Sequence, residues 1–483
     1  MAHQHTSKEF IPHLKELLRD KDGDEEVVDQ LQDPAVEKIV DGFMRFKTSI
    51  FDQHPDIFNQ LAEEQKPKFL VFACSDSRVS PSRVLDFHLG EAFVARNIGN
   101  LVPAFNQLRY SDVGAVIEYA VSHLEVENIL VMGHSKCGGI DRLMELPGDG
   151  STTFDFVDDW VKIALPAKIK VKAQNPHLSL EKQKAICERE AVNLSLSNLL
   201  TYPYVRKGLE NKTLALRGGH YDFVEGKFEL WEFKAVLTPT IKIPPCNFGS
   251  SDKDGDEEVV DQLQDPAVEK IVDGFMRFKT CIFDQHPDIF NELAKEQKPK
   301  FLVFACSDSR VSPSHVLDFH LGEAFMARNI GNLVPAFNQL RYSDVGAMIE
   351  YAVSHLKVEN ILVMGHSKCG GIERLMELPG DGSTKFDFVD DWVKIALPAK
   401  IKVKAQYPHL SPEKQAAKCE REAVNLSLSN LLTYPYVQKG LENKTLALRG
   451  GHYDFVEGKF ELWEFKAVLT PTIKIPPSNF RSS

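Results

Sequence analysis

The sequence predicts an α/β protein of two tandem homologous domains, each a mostly parallel β-sheet flanked by helices, packed together as a pseudo-dimer. Short apolar runs rich in β-branched and aromatic residues, such as residues 69–73 and 129–133, are typical of buried parallel strands. Longer segments with helical periodicity alternate with these runs, as right-handed crossovers between parallel strands require. The whole pattern occurs twice, which predicts two copies of one domain.

The internal repeat covers almost the whole chain. Residues 20–251 align with residues 252–483 without a gap and differ at sixteen positions, among them Arg83/His315 and Ile186/Lys418. A repeat of this length is far too long for a solenoid unit and has the size of a domain, so we interpret it as duplication and fusion. Nearly identical domains pair most readily about a two-fold axis, and one chain is therefore expected to form a pseudo-dimer.

The domain boundaries follow from the repeat. Residues 1–19 have no counterpart in the second repeat, and Phe10, Ile11 and Leu14 have the spacing of an amphipathic helical arm. The first domain is predicted at 20–251 and the second at 252–483. Residues 243–255, rich in Pro, Gly and Ser, form the linker. Because this linker is short, the two domains are expected to touch.

Each element of the first domain has a local signal. Apolar residues at helical spacing predict a helical segment at 36–64 that breaks at Pro55, because proline cannot continue a helix. Short apolar runs that alternate with segments of helical spacing then predict the remaining strands and helices. In order, these are strands at 69–73 and 91–96, a crossover helix at 111–124, a strand at 129–133, a helix after Gly138, helices at 155–174 and 180–209, and closing strands at 213–217 and 227–233 around a Gly218–Gly219 turn.

Composition excludes several classes of partner. The formal charge of −12 argues against nucleic acid and anionic membrane surfaces, which attract basic proteins. No apolar run approaches the roughly 18 residues of a spanning helix, so no membrane partner is expected. Eight cysteines in a long chain, whose first residues lack a secretory signal, indicate a reducing compartment. We therefore expect a cytoplasmic protein, with the trimmed form of an organelle protein as the alternative.

Two motifs follow two of the predicted strands and bring metal ligands together. Cys74 follows the strand at 69–73, and His134 and Cys137 follow the strand at 129–133. The carboxyl ends of parallel strands meet at one edge of a sheet. Two thiols and one imidazole suit zinc and leave a fourth coordination position. The second repeat has the same set, so we expect two Zn²⁺ per chain, the second on Cys306, His366 and Cys369.

Asp76 has two possible roles beside this cluster, and Asp308 has the same two. As an oxygen ligand, Asp76 would complete a tetrahedral zinc site. As a neighbour of the metal, it would instead accept a hydrogen bond from a bound water. Arg78, or Arg310 in the second repeat, favours the second role because a bidentate pair would neutralise the carboxylate. An ordinary surface ion pair is the alternative interpretation of this spacing.

The motifs Cys-Ser-Asp-Ser-Arg at 74–78, His-Ser-Lys-Cys-Gly-Gly at 134–139 and Gly-Glu-Ala-Phe-Val-Ala-Arg-Asn at 90–97 resemble those of the β-class carbonic anhydrases, nearest the plant-type branch. The resemblance covers nearly all of each repeat. It implies zinc on the Cys and His residues above, an Asp76–Arg78 dyad, and reversible hydration of carbon dioxide to bicarbonate and a proton by zinc-bound hydroxide at one site per repeat. It further implies carbon dioxide pockets lined by Gln65, Phe93 and Tyr119 and by Gln297, Phe325 and Tyr351.

The minimal unit of that family is a dimer in which the glutamine enters the pocket of its partner. We therefore expect Gln65 to line the Cys306 site and Gln297 to line the Cys74 site. Two such chains are then expected to pair as a homodimer of two-repeat chains.

Other functions fit parts of this pattern. A related zinc hydrolase could act on another small linear substrate, such as carbon disulfide, and only the shape of the pocket separates these substrates. A structural zinc protein would normally supply four N/S ligands, whereas the motifs supply three. A thiol redox protein is disfavoured because the chain contains no Cys-x-x-Cys motif.

Overall fold

A single twelve-stranded sheet runs through both repeats. The computed structural model describes residues 32–106, 111–147, 151–233, 241–242, 265–338, 343–380, 382–465 and 473–475. In the first repeat the strands are β1 Phe69–Cys74, β2 Ala92–Asn97, β3 Asn128–His134, β4 Ala215–Asp222, β5 Lys227–Glu232 and β6 Ile241–Lys242. In the second repeat they are β7 Phe301–Cys306, β8 Ala324–Asn329, β9 Asn360–His366, β10 Ala447–Asp454, β11 Lys459–Glu464 and β12 Ile473–Ile475.

The strand order is β12-β11-β10-β9-β7-β8-β2-β1-β3-β4-β5-β6. Within the first repeat, β2, β1, β3 and β4 are parallel, while β5 and β6 are antiparallel additions at the outer edge. The second repeat has the same arrangement. The two halves meet where β2 lies antiparallel to β8, with Arg96 opposite its counterpart Arg328. This confirms the mostly parallel sheets and the pseudo-dimer predicted from the sequence.

Helices cover the sheet in both repeats. The first repeat has α1 Pro34–Phe46, α2 Pro55–Glu63, α3 Pro81–Val84, α4 Ser111–Glu118, α5 Gly138–Glu145, α6 Val157–Val161, α7 Leu165–Gln174, α8 Leu180–Leu199 and α9 Pro203–Glu210. The second has α10 Pro266–Phe278, α11 Pro287–Lys295, α12 Pro313–Val316, α13 Ser343–Glu350, α14 Gly370–Glu377, α15 Val389–Val393, α16 Leu397–Gln406, α17 Pro412–Leu431 and α18 Pro435–Glu442. Among the described residues, none of these helices has the length and hydropathy needed to span a bilayer.

The local sequence explains where α1 and its neighbours begin and end. Asp33 precedes α1 and accepts a hydrogen bond of 2.8 Å from the backbone N–H of Ala35. Pro34 occupies the first turn, where its missing N–H costs nothing. The helix continues into one wider turn at Lys47–Phe51. Pro55 then begins α2, so the predicted break lies where the proline places it.

Two details of the sequence prediction are wrong. Gly218 and Gly219 lie inside β4, not in a turn, and a Cβ on Gly218 would lie 2.3 Å from the Trp231 ring. The glycines are therefore needed for close packing, and the turn is formed by residues 223–226. The predicted helix at 180–209 is two helices, because Pro203 begins α9. The predicted arm at 1–19 and linker at 243–255 lie outside the described residues.

Each repeat packs its first helix on the other repeat. The ring of Phe43 in α1 lies 6.1 Å from that of Tyr453 and 5.4 Å from that of Phe460, and all three residues are buried. Gly42 lies directly against the backbone of Leu317, where a Cβ would be 2.0 Å from the carbonyl oxygen. The two α1-type helices are therefore exchanged between the repeats, and the core is continuous across the interface.

A buried carboxylate completes the interface on each side. Glu118 at the end of α4 accepts the backbone N–H groups of Asp387, Phe388 and Val389 at 2.7, 2.9 and 2.9 Å. These N–H groups lie at the beginning of α15, where a helix lacks internal acceptors and favours negative charge. Glu350 makes the equivalent bonds to residues 155–157.

We predict that Gly42→Ala destabilises the chain. Alanine favours a helix over glycine by about 1 kcal/mol, but the added methyl would press on the Leu317 carbonyl, which cannot rotate away. Overpacking of this kind costs about 1–3 kcal/mol, so the free energy of unfolding should fall in a urea titration. Gly380→Ala is the control, because a Cβ there meets nothing within 4 Å. Equal stability of the two variants would contradict the close packing of α1 on the second repeat.

Candidate active site

Three soft ligands converge at the carboxyl edge of the first repeat. Cys74 ends β1, His134 ends β3, and Cys137 immediately precedes α5. One ligand atom from each lies within 4.8 Å of the other two, and all three residues are buried. The spatial meeting of the two strand ends, predicted from a parallel sheet, is therefore observed.

The second repeat contains the same cluster. The ligand atoms of Cys306, His366 and Cys369 also lie within 4.8 Å of one another, and the two sulfur atoms are 4.0 Å apart. Each site is thus complete in its soft ligands within one repeat.

The donor atoms of the first cluster fit a divalent metal such as zinc. His134 Nδ1 lies 2.9 Å from the carbonyl oxygen of Ser135, to which it can only donate, so Nε2 is left as the free acceptor. Nε2 is buried and has no hydrogen-bond partner. Burial would raise the pKa of Cys74, but the hydrogen bond from Cys137 and the charge of His134 together lower it well below its ordinary value. The hydrogen bond to Cys74, and then burial, raise the pKa of Cys137 well above its ordinary value, so only the first of the two thiols is prone to ionise without a metal. Two sulfur atoms and one imidazole nitrogen are the donor set that zinc prefers.

The backbone between the ligands is held in a tight turn. Lys136 has a φ of 50°, in the left-handed region, which turns the chain between His134 and Cys137. Gly138 follows, and a Cβ there would lie 2.1 Å from the hydroxyl of Tyr351. The glycine is therefore required because a side chain from the other repeat approaches this backbone.

Asp76 is held by Arg78 and lies outside the ligand cluster. Arg78 donates from Nε to Oδ1 at 2.9 Å, from Nη2 to Oδ2 at 2.6 Å, and from its backbone N–H to Oδ1 at 2.9 Å. Burial would raise the pKa of Asp76, but the Arg78 charge and these hydrogen bonds lower it below its ordinary value. Asp308 and Arg310 make the same three bonds. The carboxylates are thus ionised and occupied by arginine, and their role toward a metal remains a prediction.

Arg78 itself is fixed from three directions. Its Nη2 donates to the carbonyl of Lys136 at 3.1 Å, and its Nη1 donates to the carbonyl of Leu293 in the second repeat at 3.4 Å. The guanidinium also lies over the Phe223 ring, 4.4 Å from the centroid. An ordinary surface ion pair would be exposed, whereas both Asp76 and Arg78 are buried.

The two glutamines predicted to line the pockets each reach across the interface to the other repeat. Gln65 Nε2 is 3.4 Å from Ser309 Oγ, and Gln297 Nε2 is 3.2 Å from Ser77 Oγ. Each glutamine thus contacts a serine in the loop that follows the first ligand cysteine of the opposite repeat, and its role in a pocket stays a prediction. A backbone hydrogen bond also crosses the interface here, because the Val94 N–H donates to the Ser307 carbonyl at 3.0 Å.

The tyrosines cross in the same direction. A Cβ on Gly370 in the second site would lie 2.0 Å from the Tyr119 hydroxyl. Burial, together with the nearby charges of Asp308 and Cys369, raises the pKa of Tyr119, which therefore stays protonated. Phe93 stacks on Tyr119 with ring centroids 5.8 Å apart, and Phe325 stacks on Tyr351 at the same separation. Each site thus combines ligands from one repeat with apolar and polar side chains from the other.

Arg96 shapes the ligand loop, residues 75–80, which follows β1. No role was predicted for Arg96 from the sequence. Its Nε donates to the Cys74 carbonyl at 2.9 Å, and its Nη2 donates to the carbonyls of Asp76 at 2.8 Å and of Val79. Arg328 makes the first two of these bonds in the second repeat, at 2.9 and 2.7 Å. The available signal was the presence of a charged residue in an otherwise largely apolar, buried strand.

A buried glutamate supports the other ligand loop and was also missed. Glu188 in α8 accepts the backbone N–H of Cys137 at 3.3 Å and lies 3.0 Å from Nε2 of His220. Both side chains are buried. Burial lowers the pKa of His220, which opposes a charged imidazole at this point. No local pattern pairs Glu188 with Cys137 or His220, because the three residues are far apart along the chain.

Comparisons with known proteins agree with this site. A family model described as carbonic anhydrase matches residues 69–228 and 301–460, one match in each repeat and together about two thirds of the chain. The chain therefore belongs to the carbonic anhydrase family, and it is an enzyme of that class. More narrowly, its relatives are of the β class.

One curated relative is beta carbonic anhydrase 3 of Arabidopsis thaliana, 51% identical over 219 residues, which are 45% of this chain and 85% of the plant protein. Among solved structures, the β-carbonic anhydrase CcaA is 31% identical and matches 44% of this chain and 93% of its own, with a TM-score of 0.40. A tetrameric β-carbonic anhydrase of Sordaria macrospora is 28% identical and matches 37% of this chain and 87% of its own, with a TM-score of 0.32.

We predict that Arg96→Gln weakens both the fold and metal retention. The change leaves buried carbonyls without their donor, and each such acceptor costs about 1–3 kcal/mol. Relief of the repulsion between Arg96 and Arg328 offsets only part of that loss. Urea denaturation and zinc content after dialysis measure the two effects. Arg206→Gln is the matched control, since Arg206 is exposed and glutamine stands at the equivalent Gln438. A wild-type denaturation midpoint for Arg96→Gln would contradict this role.

Proposed function

We propose that the chain catalyses the reversible hydration of carbon dioxide to bicarbonate and a proton, with one zinc site in each repeat. The observation that supports this most directly is the buried Cys-His-Cys cluster beside an arginine-bound carboxylate, present twice in a chain of the carbonic anhydrase family. When bound, zinc supplies a Lewis acid that brings the pKa of a coordinated water from about 15.7 to near 7.

The protein would hold this metal with Cys74, His134 and Cys137 and keep the neighbouring carboxylate off it. The Asp76 oxygens already accept three hydrogen bonds from Arg78, so they are held in place as acceptors rather than free to reach into the cluster. A fixed, ionised carboxylate beside the cluster can accept a hydrogen bond from a water or from the hydroxyl of bicarbonate. It would thereby select the orientation in which an oxygen lone pair faces the substrate.

The other repeat would supply the substrate pocket. Stacked Phe325 and Tyr351 offer an apolar wall to the first site, which suits an uncharged linear molecule and excludes water. The Gln297 amide, held near Ser77 Oγ, is a hydrogen-bond donor for the oxygen that gains negative charge when carbon dioxide becomes bicarbonate. Gln65, Phe93 and Tyr119 would serve the second site in the same way.

Assembly and location complete the proposal. Two chains are proposed to pair as a homodimer, because each chain already forms the two-fold unit that a larger symmetric assembly would repeat. A cytoplasmic location is proposed from the cysteines, since the seven that the structure describes are free thiols.

We predict two zinc ions per wild-type chain and one in Cys74→Ala. The substitution removes one of three ligands from the first cluster and leaves Cys306, His366 and Cys369 intact. Elemental analysis after dialysis measures the zinc, and stopped-flow carbon dioxide hydration should fall to about half. Cys187→Ala is the control for loss of a buried thiol outside the clusters. A zinc-loaded wild-type chain without hydration activity would contradict the proposed reaction and favour another substrate.

We predict that the crossed pocket residues act on the opposite cluster. In a Cys74→Ala background only the second site works, so Gln65→Ala should lower the remaining activity by about tenfold or more. Gln297→Ala in the same background should change it little, because Gln297 contacts the disabled first site.

The two double variants are matched controls for each other, since they differ only in which repeat loses its glutamine. Zinc content should be one per chain in both. Equal activity of the two would show that the glutamines do not serve opposite sites.

A further inference from the structure

The repeats differ in charge at one position beside their shared two-fold axis. Ser80 Oγ lies 3.2 Å from Ser314 Oγ, and Ser82 Oγ lies 3.2 Å from Ser312 Oγ. Ser80 is the counterpart of Ser312, and Ser82 is the counterpart of Ser314, so the axis passes between α3 and α12. The next residue in each helix is arginine in the first repeat, Arg83, and histidine in the second.

Arg83 binds across the interface. Its Nη2 donates to the Ser314 carbonyl at 2.7 Å and to Asp318 Oδ1 at 2.7 Å. Asp318 Oδ2 also accepts from Nε of Arg45 at 2.9 Å. One carboxylate of the second repeat is thus shared by two arginines of the first, and it balances part of their charge.

The opposite side of the axis lacks this arrangement. Asp86, the counterpart of Asp318, accepts a hydrogen bond of 2.7 Å from Arg277 Nε. His88 Nε2 lies 4.0 Å from Asp86 Oδ2. His315 Nδ1 is buried without a hydrogen-bond partner. Burial, and then the nearby charge of Arg83, lowers the pKa of His315 to about 3, so this imidazole is neutral. Arg83 therefore faces an uncharged side chain across the axis.

We propose that the Arg83/His315 difference makes this interface selective for one first repeat and one second repeat. Pairing of two first repeats would place arginine on both sides of the axis, beside the buried arginines at the β2–β8 contact. Like charges brought together in a partly buried interface disfavour that pairing. Pairing of two second repeats would place neutral histidine on both sides and lose the bond to Asp318.

This selectivity matters because the repeats are otherwise nearly identical. A self-complementary surface that occurs twice in one chain can link chain to chain instead of closing within one chain. The short connection between the repeats raises the effective concentration of the internal partner, and charge selectivity acts in the same direction. The inference concerns assembly and does not depend on the reaction that the sites catalyse.

The test exchanges the two residues in the full-length chain. His315→Arg should lower the melting temperature by several degrees, because two guanidiniums then face each other across the axis. Arg83→His should cost less, because Asp318 keeps Arg45. The double variant should return to within about 2 °C of wild type, since the arginine at position 315 then has Asp86 and faces a neutral histidine. Size-exclusion chromatography should show species larger than the wild-type assembly for the two single variants, which make the repeats alike at this position, and not for the double variant.

An exchange of Arg206 and Gln438 is the control, because both are exposed and lie in α9 and α18, outside α3 and α12. Its single and double variants should match wild type. The proposal is overturned if His315→Arg is as stable as wild type, or if the double variant shows the summed loss of the two singles. If His315→Arg does not fold, the double variant decides: near-wild-type melting supports the proposal, and failure to fold overturns it.

Discussion

The antiparallel contact between β2 and β8 is short, yet both sites are organised around it. Because the two strands meet at Arg96 and Arg328, the loops that follow β1 and β7 lie beside the partner strand. The Val94 and Met326 N–H groups donate to the carbonyls of Ser307 and Ser75, inside those loops. Each ligand loop is therefore hydrogen-bonded on one side by its own arginine and on the other by the opposite repeat. Neither site has its full surroundings in a single repeat.

This dependence gives the duplicated chain a physical rationale. A domain whose pocket needs residues from a second copy must find that copy, and fusion makes the encounter intramolecular. Exchange of α1 and α10 between the repeats, with Gly42 and Gly274 against the partner backbone, strengthens the association. The buried carboxylates of Glu118 and Glu350 each cap a segment of the opposite repeat. These glycine and glutamate contacts end on backbone atoms, which are the same in both repeats.

The charge arrangement at each site separates two functions that a carboxylate could perform. Asp76 beside three soft ligands could complete a closed coordination shell, but Arg78 occupies both of its oxygens. Arg78 also donates to the Lys136 carbonyl, next to Cys137, so a hydrogen bond ties the dyad to the turn between His134 and Cys137. In the proposed function this arrangement would leave a coordination position available, as catalytic metal centres do.

By itself, the sequence determined the elements and the ligands. Periodicity located the buried strands, the repeat located the second copy, and the spacing of Cys74, His134 and Cys137 after two parallel strands predicted the cluster. These features are local, or follow from the one rule that parallel strands end at a common edge. The prediction was wrong where packing overrides local preference. Gly218 is typical of a turn but lies inside β4, where the Trp231 ring packs on it and leaves no room for a side chain.

Only the tertiary structure decided which side chains share a site. Three contacts join residues far apart in sequence: the loop support from Arg96, the hydrogen bond that Glu188 accepts from the Cys137 backbone, and the crossing of Tyr119 to the second site. No period or motif encodes such contacts, because they depend on how strands and helices pack within a repeat and on how the two repeats meet. The physical reason is the same in each case: a buried polar group must find a partner, and in a folded chain that partner is set by topology.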